Sequence, residues 1–338
     1  MNSGHRTSHS GSIHSNLADK RMSKLQYAIG VDFGGTSIKT GLVTSEGKII
    51  AQSRYPTFGE KGPKAVVRQM NKSIEDVLRQ TKVKSIRGIG IGSPGIIDNI
   101  SGVVKDPPNI SGWHQVGLAK EIRKRFKLNV AVENDANVAA IAEARFGAGR
   151  RYPNFLFVIW GTGVGGGIIL DGKIYRGPFG GAGEIGHVSI DYNGLQCNCG
   201  ARGCVEAYIG QRYLSQRAVE RLKNQPQSRI MELVDGDVTK VEPIFISQAA
   251  HEGDALAREI FVEAGTLLGV ALGSVLNTID LRVVVIGGGI SAAGDFVFDA
   301  IKKSIQSHVM KPMRNGIKVI PAALGNSAGI LGAAGLVL

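Results

Sequence analysis

The sequence predicts an α/β fold built from two similar lobes, on three observations. Short apolar runs alternate with segments of helical spacing, the pattern of strands interleaved with helices. The succession strand, Gly/Thr turn, strand occurs twice, at 27–43 and at 155–170, and reads as an internal duplication. Glycine supplies 47 of 338 residues, about twice the usual share. It clusters at Gly34-Gly35, Gly161 to Gly167, Gly180 to Gly186 and Gly287-Gly288-Gly289. Such clusters mark tight turns where backbone comes close to something else. Two repeats facing each other predict a cleft between them, where small ligands usually bind.

The elements follow in order. Residues 1–25 are rich in Ser, His, Asn and Gly without an apolar period, and are expected to be a disordered leader, with Met22 a second candidate start. Tyr27 to Asp32 is the first strand, Phe33-Gly-Gly-Thr36 a hairpin turn, Ser37 to Val43 the second strand and Lys48 to Gln52 the third. Pro63 to Thr81 has helical spacing, with Val66, Val67, Met70, Ile74, Val77 and Leu78 on one face. Ile86 to Ile91 is a buried strand leading to Ser93-Pro94-Gly95. A helix is expected over Val116 to Phe126, a strand over Leu128 to Val132, and an Ala-rich helix from Asp135 to about Phe146. Phe155 to Trp160 and Val164 to Leu170 are strands around the turn Gly161-Thr-Gly163. The strand beginning at Val283 runs into Gly287-Gly-Gly289, and a helix follows from about Asp295.

Composition excludes several classes. With 43% hydrophobic and 20% charged residues the chain can bury a core. The N-terminus carries no apolar h-region of a secretory signal. The stretches Ala264 to Leu276 and Ala328 to Leu338 fall short of the ~20 apolar residues of a membrane span. All three cysteines lie between 197 and 204, which argues against a secreted disulfide scaffold. The expectation is a soluble, cytoplasmic protein with no membrane partner. The net charge is +12, from 40 Lys+Arg against 28 Asp+Glu, and its densest cluster is Arg123, Lys124, Arg125 and Lys127. That cluster reads as a solvated helix face, and no nucleic-acid partner is expected.

Three motifs carry chemistry. Asp32-Phe-Gly-Gly-Thr-Ser-Ile-Lys39 has glycines that let backbone N–H groups face a phosphate, a hydroxyl in Thr36, a cation in Lys39, and a carboxylate for Mg²⁺. Gly161-Thr-Gly-Val-Gly165 repeats the theme, and neither is a P-loop or a dinucleotide fingerprint. His187, Cys197, Cys199 and Cys204 form a Cys₃His set, which leaves a tetrahedral Zn²⁺ no open position and therefore a structural role. Glu133-Asn-Asp-Ala-Asn137 stands where a strand gives way to a helix. Its Asn or Asp suits an N-cap, and a carboxylate there also suits a general base in a cleft.

Together with Glu184-Ile-Gly-His187 and Cys197-Asn-Cys-Gly-Ala-Arg-Gly-Cys204-Val-Glu206, these motifs resemble the ROK family (repressors, open reading frames and sugar kinases) over about residues 26–338. Within the family the chain looks most like the bacterial glucokinases. The resemblance implies a two-lobed actin/hexokinase-like (ribonuclease H-like duplicated) ATPase fold with a structural zinc loop. The small α/β lobe would be 26–134 plus 322–338, and the large lobe 135–321 with the zinc loop 187–204. It implies ATP-dependent phosphorylation of a hexose at the 6-hydroxyl, with glucose expected first. An N-acetylmannosamine or N-acetylglucosamine kinase is the alternative, then a fructokinase, and polyphosphate stays open as donor.

Carried over by position, the resemblance makes Asp135 the base, and Gly95, Asn109, Asn134, Glu184, His187 and Glu206 the sugar-binding residues. His187 would serve zinc with one ring nitrogen and sugar with the other. Asp32, Gly34, Gly35, Thr36, Thr162 and Gly163 would hold ATP phosphates with Mg²⁺, and Gly287 and Gly288 the adenosine. A homodimer or homotetramer is implied as well. Two positions depart from the pattern. Many relatives carry Lys directly after the Thr of the first turn, where this chain has Ser37, and Lys39 is left without a role. Trp160 before the second turn is also unusual. Family repressors carry a helix-turn-helix ahead of the first turn, and the 26 residues before Tyr27 hold no pair of amphipathic helices.

Overall fold

The computed structural model describes residues 25–338, so the expected leader lies outside the described residues apart from Leu25. Along the first half run β1 (Tyr27–Phe33), β2 (Ser37–Thr44), β3 (Ile49–Pro56), α1 (Pro63–Arg79), β4 (Ile89–Ser93), β5 (Ile96–Asp98), β6 (Val103–Lys105), β7 (Gln115–Val116), α2 (Leu118–Phe126) and β8 (Val130–Asn134). The second half holds α3 (Asp135–Phe146), β9 (Phe155–Trp160), β10 (Val164–Leu170), β11 (Lys173–Tyr175), α4 (Glu206–Ile209), α5 (Gln211–Leu222), α6 (Arg229–Leu233), α7 (Pro243–His251) and α8 (Ala255–Ile279). It ends with β12 (Val283–Gly287), α9 (Asp295–His308), β13 (Lys318–Pro321) and α10 (Ala328–Gly335).

The duplication is visible in the sheets. One has the order β3-β2-β1-β4-β8 and the other β11-β10-β9-β12-β13. In each, three antiparallel strands form a meander and two further strands lie parallel to the first. A third, three-stranded sheet of β5, β6 and β7 was not expected, because strands of two or three residues leave no alternation to read.

Several boundaries move; the third strand, expected to end at Gln52, runs on to Pro56 opposite Ser37, the first helix ends at Arg79 rather than Thr81, and three further shifts have a pairing reason. The strand expected over 86–91 is β4, and the one expected over 128–132 is β8. Ile89 pairs with both Ile29 and Val130, and the register runs on to Ser93 opposite Asn134. Ladder partners, rather than the apolar run, set these ends. The consequence is functional: Gly95 and Asp135 leave neighbouring strands side by side. The helix expected from Val116 starts at Leu118 because Val116 pairs with Val104.

Glycine permits the closest packing. A Cβ on Gly30 would lie 2.0 Å from the Ile330 carbonyl oxygen, and one on Gly90 1.7 Å from that of Ala333. α10 therefore sits directly on the backbone of β1 and β4, and its other side packs on α3. α3 in turn packs on β10, so the two helices lie between the sheets. One apolar cluster fills the first lobe around Ile29, Val66, Ile74 and Ile91. A second fills the other lobe around Trp160, Phe261, Leu268 and Ile286. A third, around Ala140, Phe155, Phe157 and Ile330, joins them. α8 has 25 residues and is long and apolar enough to cross a membrane, more than its sequence stretch suggested. Its Phe261, Leu268 and Leu272 are fully buried in the second cluster, which accounts for that composition.

Candidate active site

The carboxyl ends of β1, β4, β8 and β9 meet around a cavity of about 910 Å³. Its lining includes Asp32, Gly95, Asn134, Asp135, Thr162, Gly163, Glu184, His187, Glu206, Gly287 and Gly288. Sequence reasoning named all of these. Gly34, Gly35, Thr36 and Asn109 were named too but lie outside the lining, where Gly35 abuts Asn109: a Cβ on Gly35 would be 3.8 Å from the Asn109 amide nitrogen.

The first turn is held rigid from one side. Gly34 donates its N–H to the Ser37 carbonyl at 3.1 Å. Thr57, fully buried, donates its hydroxyl to the Gly34 carbonyl at 2.7 Å and its N–H to the Thr36 carbonyl at 3.0 Å. The antiparallel register sets Asp32 opposite Lys39, and Lys39 Nζ lies 3.1 Å from Asp32 Oδ2. Both line the cavity, so Lys39, left without a role above, stands among the site residues. Asp32 also packs against Gly329 at the start of α10, where a helix N-terminus favours negative charge.

The second turn is held by α4 and α5. Gln211 donates its N–H to the carbonyls of Gly161 and Thr162, each at 3.2 Å. Glu206 Oε2 accepts the Val164 N–H at 2.8 Å. Trp160 is fully buried and donates its indole N–H to the Ile209 carbonyl at 2.8 Å, so this unusual residue ties β9 to α4. The third turn closes on the same strand end: a Cβ on Gly288 (φ +97°) would lie 2.1 Å from the Trp160 carbonyl oxygen.

The two readings of the Glu133–Asn137 motif divide between neighbours. Asn134 Oδ1 accepts the N–H groups of Ala136 and Asn137 at 3.0 and 3.2 Å, and is the N-cap of α3. Asp135 is thereby free of capping. Its Oδ1 accepts the Ala136 N–H at 2.8 Å. Water reaches the carboxylate through the mouth of the cleft, while protein walls it elsewhere. That enclosure raises its pKa to about 6; the Ala136 hydrogen bond opposes this, and the charges of Asp32 and Glu184 add to it.

Glu143, at the far end of α3, was missed. It is fully buried and lines the cavity, and its carboxylate accepts the N–H groups of Ala148, Ala323 and Leu324 at 2.7 to 3.1 Å. It clamps the segment between β13 and α10 to α3. No local signal marks it, since two of its three partners, the Ala323 and Leu324 N–H groups, lie about 180 residues away.

Beside the cavity, ligand atoms of His187, Cys197, Cys199 and Cys204 all lie within 4.8 Å of one another. Cys197 Sγ is 3.8 Å from His187 Nδ1, and Cys199 Sγ is 3.6 Å from Cys204 Sγ. A tetrahedral zinc shell has S···S edges of about 3.8 Å and S···N edges of about 3.6 Å, so the donor set fits such an ion. Burial, then the neighbouring Cys199 and Cys197, push the Cys204 thiol up to about 12. A bound cation would favour the ionised thiolate of Cys204 against this shift. Nδ1 of His187 faces the cysteines and its ring also lines the cavity, so one residue joins cluster and cleft.

Comparison with known proteins agrees with this geometry. The chain is 35% identical over 309 residues to a glucokinase of Thermotoga maritima, covering 91% of this chain and 96% of that protein. It is 29% identical to the xylose repressor of Bacillus subtilis over 317 residues, covering 93% of this chain and 78% of the repressor. The crystal structure of a ROK family glucokinase from Streptomyces griseus, in complex with glucose and AMPPNP, superposes with a TM-score of 0.80 at 36% identity, covering 92% of this chain and 99% of that one. The duplicated sheets are those of the actin/hexokinase-like fold of such kinases. The sequence model of the ROK family matches residues 28–338, and the chain belongs to that family.

Proposed function

We propose that this protein transfers the terminal phosphoryl group of ATP to the 6-hydroxyl of glucose, with Asp135 as general base. The observation that carries the proposal is one cavity gathering Asp135, the second glycine turn and the polar set Glu184, His187 and Glu206. Glucokinase relatives matched along nearly their whole length support it. The lobe division 26–134 plus 322–338 against 135–321 fits a chain that changes sheets at α3 and returns through α10.

Each residue has a task. Asp135 Oδ1 is anchored by Ala136, which leaves Oδ2 to take the proton of the 6-hydroxyl. The Asn134 amide nitrogen, Glu184, His187 Nε2 and Glu206 bind the other hydroxyls, with Gly95 and Asn109 on the facing side. Because Glu206 also accepts the Val164 N–H, it couples sugar to the phosphate turn. Backbone N–H groups of Gly35 and Thr36 and of Thr162-Gly163 hold the phosphates, Gly34 shapes the first turn with its own N–H on Ser37, and Gly287 and Gly288 flank the adenosine. Lys39 joins them as a cation facing the cleft. Mg²⁺, when bound, neutralises phosphate charge; Asp32 Oδ1 remains for it or its water, since Oδ2 is on Lys39. His187, Cys197, Cys199 and Cys204 would hold zinc, which would fix the orientation of His187. The protein's part in phosphoryl transfer is alignment and charge rather than covalent chemistry.

The test is ADP release with glucose, mannose, fructose, N-acetylglucosamine and N-acetylmannosamine. Glucose is expected to give the highest kcat/KM. A clear preference for an N-acetyl sugar would move the substrate assignment, and no turnover with any sugar would contradict the kinase assignment.

A further inference from the structure

Glu133 opens the motif that carries Asp135, yet it neither caps α3 nor lines the cavity. It is 3% exposed. Its Oε1 accepts the Asn134 N–H at 3.0 Å and the Asn137 side-chain amide at 3.1 Å. Its Oε2 accepts Nε of Arg176 at 2.5 Å. Arg176 follows β11 and opens the segment 176–184, which the Ala182 N–H closes onto the Arg176 carbonyl at 3.0 Å. That segment ends at Glu184. Its middle reaches the other lobe, where a Cβ on Gly180 would lie 3.5 Å from the Ile97 carbonyl oxygen. One ion pair therefore joins the strand end bearing Asp135 to the loop bearing Glu184.

From this we infer that Glu133 and Arg176 are a positioning pair that sets the base against the sugar-binding carboxylate of Glu184. The inference rests on the kinase assignment above. A buried carboxylate whose cation is removed is left with an uncompensated charge, so the pair holds its geometry firmly. A shift of about 1 Å between base and bound hydroxyl costs ~100-fold in rate. The pair also governs charge. Asp135 already faces Asp32 and Glu184, with Lys39 and His187 as the nearby basic groups. Loss of the Arg176 cation would leave Glu133 as a further negative charge two residues away.

The experiment uses the full chain and the variants Arg176→Met, Arg176→Lys, Glu133→Gln and the double variant Glu133→Gln/Arg176→Met. Steady-state kinetics in glucose and in ATP, pH profiles and Tm are measured for each. Arg176→Met is expected to lose ~10–100-fold in kcat/KM for glucose, with the KM for ATP within ~3-fold and the acid limb moved to higher pH. Arg176→Lys restores part of the loss, because lysine supplies the charge without the planar fork. The double variant exceeds Arg176→Met alone, since no unpaired charge remains. Should Arg176→Met fail to fold, Arg176→Lys and Glu133→Gln carry the same glucose-against-ATP comparison. Wild-type glucose kinetics and acid limb in a folded Arg176→Met, or a loss confined to Tm, would overturn the inference alone. A wild-type chain inactive on every sugar would instead overturn the kinase assignment, and the inference with it.

Discussion

As the proposed base, Asp135 takes its basicity from its surroundings. Enclosure and the charges of Asp32 and Glu184 lift its pKa to about 6, close enough to neutrality for a base that is both ionised and willing to accept a proton. The sign is that of a raised carboxylate: the active, ionised form is present above about 6 and is lost as pH falls through it. We therefore expect kcat/KM for glucose to drop roughly tenfold per pH unit below about 6 and to level off above it. A profile flat down to pH 4.5 would show that another group takes the proton. Asp135, Asn134 and Glu184 were legible in the sequence because each sits in a short motif with a chemical reason for its spacing. Lys39 was legible as a candidate cation but not as the partner of Asp32, and Thr57, Glu143 and Arg176 were not legible at all. Their partners come from other strands and loops, and only pairing register brings Asp32 opposite Lys39 or Glu133 within reach of Arg176.

Two elements carry the site on backbone contacts that side chains would obstruct. α10 rests on Gly30 and Gly90, and the Cys-rich loop folds as a hairpin in which Ile190 and Gly203, and Val188 and Val205, are joined by backbone hydrogen bonds of 2.9 and 3.0 Å. That hairpin leads directly into Glu206 and holds His187. The purified protein is expected to carry about one zinc per chain. Cys199→Ser should lower zinc content and Tm together and raise the KM for glucose more than that for ATP, because His187 and Glu206, which line the cavity, are the proposed sugar-binding residues. Metal analysis alongside a thermal melt reads this directly. A zinc-free native protein, or Cys199→Ser with unchanged Tm and kinetics, would remove the zinc assignment. The four-residue cluster was legible because cysteine is rare and all three lie close together. The helices α4 to α7 were not: α4 and α6 have only four and five residues, and α4, α5 and α7 are decided by packing against α8 more than by their own periodicity.

At the scale of the molecule, two copies of one sheet topology meet at one cleft, lined by Asp32 and Lys39 beside the first glycine turn and by the second turn itself. The duplication was legible because turn chemistry leaves a mark in sequence: both meanders turn through Gly and Thr. The arrangement of α3 and α10 between the sheets was less legible, since it depends on glycines that look like any others until a helix is found above them. The +12 charge is not concentrated at the cleft. Lys120, Arg123, Lys124 and Lys127 line a separate hollow of about 580 Å³, at the opposite end of the first sheet. Catalysis thus depends on the few charges the fold brings together rather than on overall basicity. The decisive measurement is the turnover of Asp135→Asn, with glucose 6-phosphate identified by ³¹P NMR and glucose affinity measured in parallel. A fall in kcat of ~10²–10⁴-fold with glucose affinity nearly unchanged is the result expected of a general base. Turnover near that of the wild type would contradict it.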